Sequence, residues 1–375
     1  MSRRVTWLLL GVLASTLYVG IRHRRDRLVD FEVYRTASLR AIAAEPLYRP
    51  EDGHYQYKYL PAFAFAMVPF GALPPRIASA IWYAIAVSLL CIFMWTSVVS
   101  LPERRLRGPT LLWIVAILTG KFWVKELMLG QTNVLLGVVL ILVMLAAQRG
   151  QWRRAAVLVG LGFFTKPYAV LFLPWIAAAG GLAPAFITVV VTFAGLLLPA
   201  TVYGWNGNRE QIAAWYHTVT GTTPSNLIFP ENISLDAMWT RWFGAGADAS
   251  ALTLASTVAL LALPVLAFLM RRRYREPVYL EVSLILLLIP VLSPQGWDYV
   301  LLLATPAFVC LIDRWRDTPL PWKLATAAAF ALVSFTIFDL ERRAFYEYLM
   351  SKSVVTVGAL VLALALCRLR WRGLA

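Results

Sequence analysis

The sequence has few charged residues: they make up 15% of its 375 positions, while hydrophobic residues make up 60% and the mean hydropathy is +0.67. A soluble chain of this length cannot bury that much apolar surface in its core. The composition therefore excludes a soluble globular protein and predicts an integral membrane protein. The apolar runs do not show the alternating segments of roughly ten residues that build a β-barrel, so we expect α-helical spans.

Cysteine and histidine are scarce, with three residues of each. The cysteines lie inside apolar runs and lack the spacing of a disulfide framework. The histidines lie too far apart to form the paired ligands of a zinc helix. A P-loop and a strand-linked Rossmann glycine pattern are absent too. We therefore predict no metal site, no cofactor and no soluble nucleotide-binding domain.

Acidic residues are outnumbered by basic ones, 20 against 35, which gives a formal net charge of +15. The basic residues recur in short clusters between apolar runs, as at 104–107, 149–154 and 271–275. Cytoplasmic loops of membrane proteins carry such clusters. This distribution predicts cytoplasmic N- and C-termini in a multi-pass protein and argues against a nucleic-acid partner.

Apolar runs between these clusters predict an all-α polytopic protein with about 12 transmembrane helices, some short or broken, in a single domain over residues 1–375. External loops are expected at about 22–75 and 204–250. The predicted crossings are 5–21, 77–99, 110–120, 134–147, two pieces within 155–180, 184–203, 251–270, 278–292, 299–312, 324–338 and 354–367. Residues 121–133 are predicted to form an external turn.

The first external loop is predicted to contain interfacial helices. Phe31, Tyr34, Ala37 and Ala41 recur at three- and four-residue steps, which predicts an amphipathic helix over 30–44. Residues 61–73 are apolar but too short to cross roughly 30 Å of hydrocarbon, so they predict a second, partly embedded helix.

Further along the chain, the segment 155–180 is either one long helix or two short ones. The basic clusters on both sides of it are cytoplasmic only if it is broken at Lys166-Pro167. Lys166 is then expected at an external apex.

Polar side chains gather at four of the predicted external turns, although such groups are costly near hydrocarbon unless they are paired or functional. They are Asp30, Tyr34, Tyr57 and Lys58; Lys125, Gln131 and Asn133; Lys166; and Gln295 and Tyr299. A carboxylate in such a set can take a proton from a hydroxyl, and cations can stabilise a departing phosphate. The pattern suits glycosyl transfer from a lipid-linked sugar.

At these residues the chain resembles the membrane-bound C-type glycosyltransferases, and in particular glycosyltransferase family 87, the polyprenol-phosphate-mannose-dependent α-mannosyltransferase-like proteins. The resemblance runs from Asp30 to about Pro306. Its carriers are Asp30-Phe31 with Tyr34, Leu47-Tyr48, residues 57–61 with Pro69, Trp82, Gly130-Gln131-x-Asn133, Lys166-Pro167, and Ser293-Pro294 with Trp297 and Tyr299.

This resemblance implies a C-type glycosyltransferase fold with Asp30 as the catalytic base. It also implies a polyprenyl-phosphate-hexose donor, with mannose the expected sugar, inversion at the sugar carbon and no obligatory metal. Some members carry a histidine in the turn that corresponds to 294–299. This chain has none there, so that role does not transfer.

The expected function is transfer of the hexose to a lipid or glycan acceptor, at the external face of a bacterial inner membrane whose lipids surround the protein. Two alternatives stay open: a lipid or sugar transporter or flippase without chemistry, and a glycan ligase with a polyprenyl-diphosphate donor. Single residues have simpler alternatives as well. Asp30, Gln131, Asn133 and Asp298 are candidate helix caps, and Lys166 is a candidate snorkelling lysine.

Overall fold

Helices account for nearly all the regular structure of the chain. The computed structural model describes residues 28–271, 276–338 and 342–371, and in these ranges it contains no β-strand, only one isolated bridge between Asn232 and Trp297. The predicted all-α class is confirmed. The predicted first crossing at 5–21 lies outside the described residues.

We number the α-helices in chain order. They are α1 Val29–Ile42, α2 Pro61–Ala66, α3 Val68–Gly71, α4 Pro75–Val99, α5 Gly108–Leu118, α6 Gly120–Leu129, α7 Asn133–Gln148, α8 Trp152–Thr165, α9 Phe172–Gly180, α10 Leu182–Leu197, α11 Ala200–Leu227, α12 Leu235–Phe243, α13 Ala247–Leu269, α14 Val278–Leu292, α15 Thr305–Asp313, α16 Leu320–Phe335, α17 Arg343–Ser351 and α18 Val354–Trp371. Short 3₁₀ helices cover Pro50–Tyr55, Pro167–Leu171, Asp298–Ala304 and Trp315–Asp317.

The chain forms two compact units. The first contains the residues up to Phe93 and Val124–Thr222, and α8 packs there against both α7 and α10. The second contains Met94–Trp123 and the residues from Thr223 onward, and α18 packs there against α16 and α14. The single transmembrane domain stays a prediction.

Two described helices are long and apolar enough to cross a membrane: α4 with 25 residues and α13 with 23. Two bent pairs raise the number to four if each is one span: α10 with α11, bent by 95°, and α17 with the following helix, bent by 53°. Five further apolar helices have 10–17 residues, fewer than the roughly 20 that a straight crossing needs. The apolar helices identify a membrane protein, and about 12 crossings stays a prediction.

Several helices begin or end at other positions than the predicted segments, and proline or helix-forming residues explain most of these differences; the external location of the loops stays a prediction. The predicted crossing at 184–203 ends at Leu197, because Pro199 cannot continue the helix and the chain turns into α11. The predicted external loop at 204–250 is largely helical, since it contains most of α11 and all of α12.

Three further segments differ from prediction. The predicted turn at 121–133 is mostly α6, because the sequence offers no helix breaker before Gly130. The predicted helix at 61–73 is two short helices that meet at Met67, with Pro69 in the first turn of the second. The crossing predicted at 299–312 is a 3₁₀ helix followed by α15, which begins at Thr305-Pro306.

The break predicted at Lys166-Pro167 is confirmed. Helix α8 ends at Thr165, and Lys166 is extended, with φ −154° and ψ 137°. Proline disfavours the helical conformation in the residue before it, which accounts for this local geometry. The break leaves the Lys166 side chain at the end of a helix, where it can turn towards neighbouring elements.

The apolar residues that predict an amphipathic helix over 30–44 do share one face of α1, and this face is buried in the protein; the location of α1 at the membrane interface stays a prediction. Phe31, Tyr34, Ala37 and Ala41 are all at most 1% exposed. Phe31 stacks on Trp82 of α4, with ring centroids 5.2 Å apart and an interplanar angle of 19°. The helix is thereby fixed against the core of the first unit, which positions the residues of its first turn.

In the second unit, the turn that follows α14 is held by the segment before α12. The Asn232 side chain donates to the Pro294 carbonyl oxygen at 2.9 Å, and the Ile233 N–H donates to the Gly296 carbonyl oxygen at 2.7 Å. Gly296 packs so tightly that a Cβ atom there would overlap the carbonyl oxygen of Pro290. Only glycine fits this position without moving the backbone.

We predict that Gly296→Ala lowers the thermal unfolding midpoint of the detergent-purified protein, because overpacking of this kind costs about 1–3 kcal/mol. Gly221→Ala is the matched control: Gly221 lies in α11, and a Cβ atom there meets nothing within 4 Å. Equal midpoints for the two variants would contradict the prediction.

Candidate functional site

The site is built around Asp30 in the first turn of α1. The helix begins at Val29, and no side chain caps it, so Asp30 is not the N-cap. A carboxylate in the first turn is favoured by the helix dipole. The half-buried Asp30 carboxylate instead points to another element, where its Oδ2 accepts a hydrogen bond from the Gln131 Nε2 at 2.7 Å.

Gln131 reaches Asp30 because Gly130 ends α6 in the left-handed conformation, with φ +72°. Such a glycine is a common way to terminate a helix. Its carbonyl oxygen accepts a hydrogen bond from the Trp82 Nε1 at 2.9 Å. A Cβ atom at Gly130 would lie 2.9 Å from the Cβ atoms of both Leu28 and Phe31. The missing side chain lets the start of α1 approach the turn closely.

The Gln131 amide joins Asp30 to a group of hydrogen-bond donors. Its Oε1 lies 3.3 Å from the Lys166 Nζ, 3.3 Å from the Tyr59 hydroxyl and 3.4 Å from the Tyr34 hydroxyl. The two tyrosine hydroxyls are 2.8 Å apart. With donors on one side and a carboxylate on the other, the amide has only one favourable orientation.

Lys166 lies over two aromatic rings as well as beside Gln131. Its Nζ is 5.8 Å from the ring centroid of Tyr59 and 5.9 Å from that of Tyr168, distances at which a cation is attracted by the ring face. Burial lowers the pKa of Lys166 to about 8, and the charges of Glu126 and Asp30 oppose that fall. The lysine belongs to the polar cluster, so a snorkelling role does not describe it.

The electrostatics of Asp30 favour a carboxylate that binds protons more readily than usual. Burial raises the pKa of Asp30 above its ordinary value, and the hydrogen bond from Gln131 opposes the rise. The positive charges of Lys166, His54 and Lys58 oppose it as well. A base of raised pKa is closer to the pH at which general-base catalysis is most effective.

Lys58 is the second predicted cation near Asp30. It is half-buried, and burial lowers the pKa of its ammonium while the charge of Asp30 raises it. Its backbone carbonyl oxygen accepts a hydrogen bond from the Trp215 Nε1 at 3.1 Å. Over the part of the chain that the structure describes, its Nζ makes no hydrogen bond or ion pair. A ligand anion is a suitable partner for this ammonium group.

Asn133 binds a second carboxylate, that of Glu126. The Asn133 Nδ2 donates to the Glu126 Oε2 at 2.7 Å, and the Val134 N–H donates to the Glu126 Oε1 at 2.8 Å. Glu126 is 1% exposed, and burial raises its pKa to about 7. Helix α7 follows Thr132, and no side chain caps it, so the capping alternatives for Gln131 and Asn133 are wrong.

The other predicted site residues have no hydrogen bond to the Gln131 side chain among the described residues. Tyr57 is buried in the core of the first unit, and its hydroxyl donates to the Leu60 carbonyl oxygen at 3.1 Å. Lys125 lies half-buried on α6, directly before Glu126. Gln295 and Tyr299 belong to the second unit, where the Gln295 Nε2 donates to the Thr223 Oγ1 at 2.9 Å and Tyr299 is buried.

Asp298, also in the second unit, is not a helix cap either. The residue before its 3₁₀ helix is Trp297, and no side chain caps that helix. The Asp298 Oδ2 lies 3.6 Å from the Lys121 Nζ, which also donates to the Thr336 carbonyl oxygen at 3.0 Å. The ion pair gives both buried charges an opposite partner.

The structure therefore brings together four of the predicted residues, because Asp30, Tyr34 and Lys166 all contact the side-chain amide of Gln131. Neither Tyr59 nor Glu126 was among the residues predicted to bind the substrate. Tyr59 belongs to the alternating tyrosines of 55–59, so a signal for it existed in the pattern. Glu126 had only the weak signal of an acidic residue in the predicted external turn, directly after Lys125.

Among the described residues, no group of three or more histidine, cysteine, aspartate or glutamate side chains is placed to hold a metal ion. Two lysines and His54 supply the positive charges that act on Asp30. Lys166 is the one that contacts the central amide directly, through the Gln131 Oε1.

The apolar helices and the polar, carboxylate-centred cluster define a helical membrane protein with groups suited to acid-base chemistry. The family model for glycosyltransferase family 87 matches residues 57–294, more than half of the chain. The chain belongs to this family and is a membrane glycosyltransferase, as the sequence motifs predict. A search of the curated proteins found no match, and a search of the solved structures found none.

The matched residues include Lys58, Gln131, Asn133 and Lys166, whereas Asp30 lies before them. Asp30 is tied to the matched part through the Gln131 hydrogen bond. The assignment of Asp30 to the site thus rests on its hydrogen bond to Gln131 as well as on the motif at 30–34.

We predict that Gly130→Ala lowers transferase activity more than Gly150→Ala does. Both glycines end a helix at positive φ, +72° and +69°, so both substitutions cost roughly 1–2 kcal/mol of backbone strain. Only at Gly130 does a Cβ atom also press on Leu28 and Phe31, whereas it meets nothing at Gly150. Initial rates at equal amounts of folded protein test this. Equal losses for the two variants would show that close packing at Gly130 is unimportant.

Proposed function

We propose that the protein is an inverting glycosyltransferase that moves a hexose, expected to be mannose, from a polyprenyl-phosphate donor to a hydroxyl of a lipid or glycan acceptor. Asp30 is the catalytic base. The observation that carries the proposal is a half-buried carboxylate held at one oxygen by Gln131, with Lys166 and Lys58 close enough to act on its charge.

The hydrogen bonding of Asp30 suits a general base. Its Oδ2 is occupied by the Gln131 amide, whereas its Oδ1 makes no hydrogen bond to any residue that the structure describes. One carboxylate oxygen is thus anchored, and the other is available to a substrate hydroxyl. Anchoring fixes the direction of the second oxygen, and proton transfer depends on that direction.

In the proposed reaction the acceptor oxygen attacks the anomeric carbon of the sugar as its proton passes to Asp30. The bond between that carbon and the phosphate oxygen breaks, and the polyprenyl phosphate leaves with the electron pair. Attack opposite the leaving group inverts the anomeric carbon. Lys166 and Lys58 stabilise the negative charge that develops on the phosphate.

We place the reaction at the external face of a bacterial inner membrane, in a C-type fold of about 12 transmembrane helices with both termini cytoplasmic. The support is the repeated basic clusters of the predicted cytoplasmic loops. Membrane lipids hold the protein, and the lipid-linked donor reaches the site from the bilayer. The chemistry requires no cofactor, since lysine side chains supply the positive charge.

We also propose that Tyr34 and Asn133 lie near the donor. The Tyr34 hydroxyl contacts Gln131, and the Asn133 side chain contacts Glu126. Substrate contacts of Lys125, Tyr57, Gln295 and Tyr299 are proposed from the sequence pattern alone, because none of them has a hydrogen bond to Asp30 or Gln131 among those found in the described residues. The Tyr57 hydroxyl donates to a carbonyl oxygen of the core.

A donor panel tests the reaction class. Purified protein in lipid nanodiscs is given radiolabelled mannose or glucose on polyprenyl monophosphate, or a glycan on polyprenyl diphosphate, with an extracted lipid fraction as acceptor. We expect transfer or release of the sugar from the monophosphate donor. A flippase would leave every sugar–phosphate bond intact, and a ligase would consume the diphosphate donor instead.

Asp30→Asn tests the base. The amide has nearly the shape of the carboxylate and can still accept from Gln131, so we expect normal folding and a rate about 10²- to 10⁴-fold lower. Glu32→Gln is the control, because Glu32 lies on the same helix but pairs with Arg35 at 2.6 Å. Full activity of Asp30→Asn with a donor that the wild type uses would exclude Asp30 as the base.

A further inference from the structure

Glu126 is a buried carboxylate beside the site for which the proposed reaction has no use. It lies in α6, outside the candidate membrane spans, and is 1% exposed. Ionised carboxylates are costly to bury unless hydrogen bonds and opposite charge compensate them. The hydrogen bonds and charges around Glu126 therefore show how the cost of its burial is compensated.

Hydrogen bonds offset part of the cost of burying the Glu126 carboxylate. They also link the two ends of the turn between α6 and α7. The carboxylate accepts from the Asn133 side chain at 2.7 Å and from the Val134 N–H at 2.8 Å. These contacts join the last turn of α6 to the first residues of α7. Only the short turn that contains Gly130 and Gln131 lies between them, so Glu126 fixes the backbone from which the Gln131 side chain projects.

A nearby positive charge also offsets the cost of burying the Glu126 carboxylate. Lys166 is the cation whose charge acts on Glu126, and the charge of Glu126 is the first influence that favours the protonated form of Lys166, ahead of Asp30. Geometry places both groups around one turn: the Lys166 Nζ lies 3.3 Å from the Gln131 Oε1, and the Gln131 N–H donates to the Glu126 carbonyl oxygen at 3.1 Å. The charges of two carboxylates thus act on this lysine, and only Asp30 takes part in the proposed chemistry.

We propose that Glu126 is a positioning residue that fixes the Gly130–Asn133 turn and serves as the counter-ion that keeps Lys166 protonated. The use of this charge for the donor phosphate rests on the proposed function above. The counter-ion role itself concerns only the protein, and it can be measured without any substrate.

Glu126→Gln removes the negative charge of the side chain but nearly keeps its shape. The glutamine oxygen can still accept from the Val134 N–H. Its amino group can donate to the Asn133 Oδ1, which has no hydrogen-bond partner among the described residues, once the Asn133 amide turns over. We therefore expect a folded protein. The readout is the pH dependence of acetylation at Lys166, followed by mass spectrometry with a limiting amount of acetic anhydride.

We expect the pH of half-maximal acetylation at Lys166 to fall in Glu126→Gln relative to the wild type. A protonated amine is stabilised by a nearby negative charge, so removing that charge lets it lose its proton at lower pH. The expected fall is about one pH unit, at the low end of what a nearby opposite charge produces. The basic limb of the pH profile of kcat/KM should move in the same direction, which a merely structural residue would not cause.

Two further variants complete the test. Glu126→Asp keeps the charge but shortens the reach to Asn133 and Val134, so we expect Lys166 to titrate nearly as in the wild type while the transfer rate falls. Glu281→Gln removes a buried carboxylate of the second unit, which pairs with Arg271 at 3.4 Å, and should leave the Lys166 titration unchanged.

An unchanged Lys166 titration in folded Glu126→Gln would overturn the counter-ion role. Full transfer activity of Glu126→Asp would overturn the anchoring role. If the wild-type protein transferred no sugar from any monophosphate donor, the proposed function would fail, and the acetylation result would still decide whether Glu126 controls Lys166.

Discussion

The hydrogen bond between the Gln131 amide and Asp30 is the contact on which the site depends. An amide has a donor end and an acceptor end, so it can bind a carboxylate on one side and a lysine and two tyrosine hydroxyls on the other. A carboxylate at position 131 would repel Asp30, and an apolar side chain would leave Lys166 without an acceptor. The chemical asymmetry of one side chain thus holds a base and a cation together without letting them form a direct ion pair.

That separation has a functional consequence. A lysine paired tightly with Asp30 would lower the basicity of the carboxylate and would have less charge to offer a phosphate. Burial raises the pKa of Asp30 and lowers that of Lys166, so the environment moves both groups towards the pH range in which proton transfer is useful. The close approach at Gly130 is what makes the arrangement possible, since it lets two helix termini meet almost at backbone contact.

Much of this architecture follows from local rules. The charge clusters, the apolar runs and the three- and four-residue spacing of α1 are properties of neighbouring residues, and they predict the helical membrane class and the buried face of α1. Pro167 disfavours a helical conformation in the residue before it, and the basic clusters on both sides are cytoplasmic only with a break there, so the interruption at Lys166 was predictable as well. The motifs at 30–34, 57–61 and 130–133 carried enough specificity to indicate glycosyltransferase family 87, and the family match confirms that membership.

What the sequence by itself determined was therefore the class of protein, the family and the helix break at Lys166-Pro167, since each depends on residues close together in the chain. Only the tertiary structure decided which polar groups meet. Asp30 and Gln131 are 101 positions apart, and Gln131 and Lys166 are 35 apart, so no local pattern specifies their contact. The structure buries the Glu126 side chain next to the turn that holds Gln131, and it buries Tyr57 in the core of the first unit. It also made Asn133 the partner of Glu126, because burial leaves every polar group there in need of a hydrogen-bond partner. The first turn of α1 thus forms a site only together with the turn at Gly130, which lies a hundred residues later in the sequence.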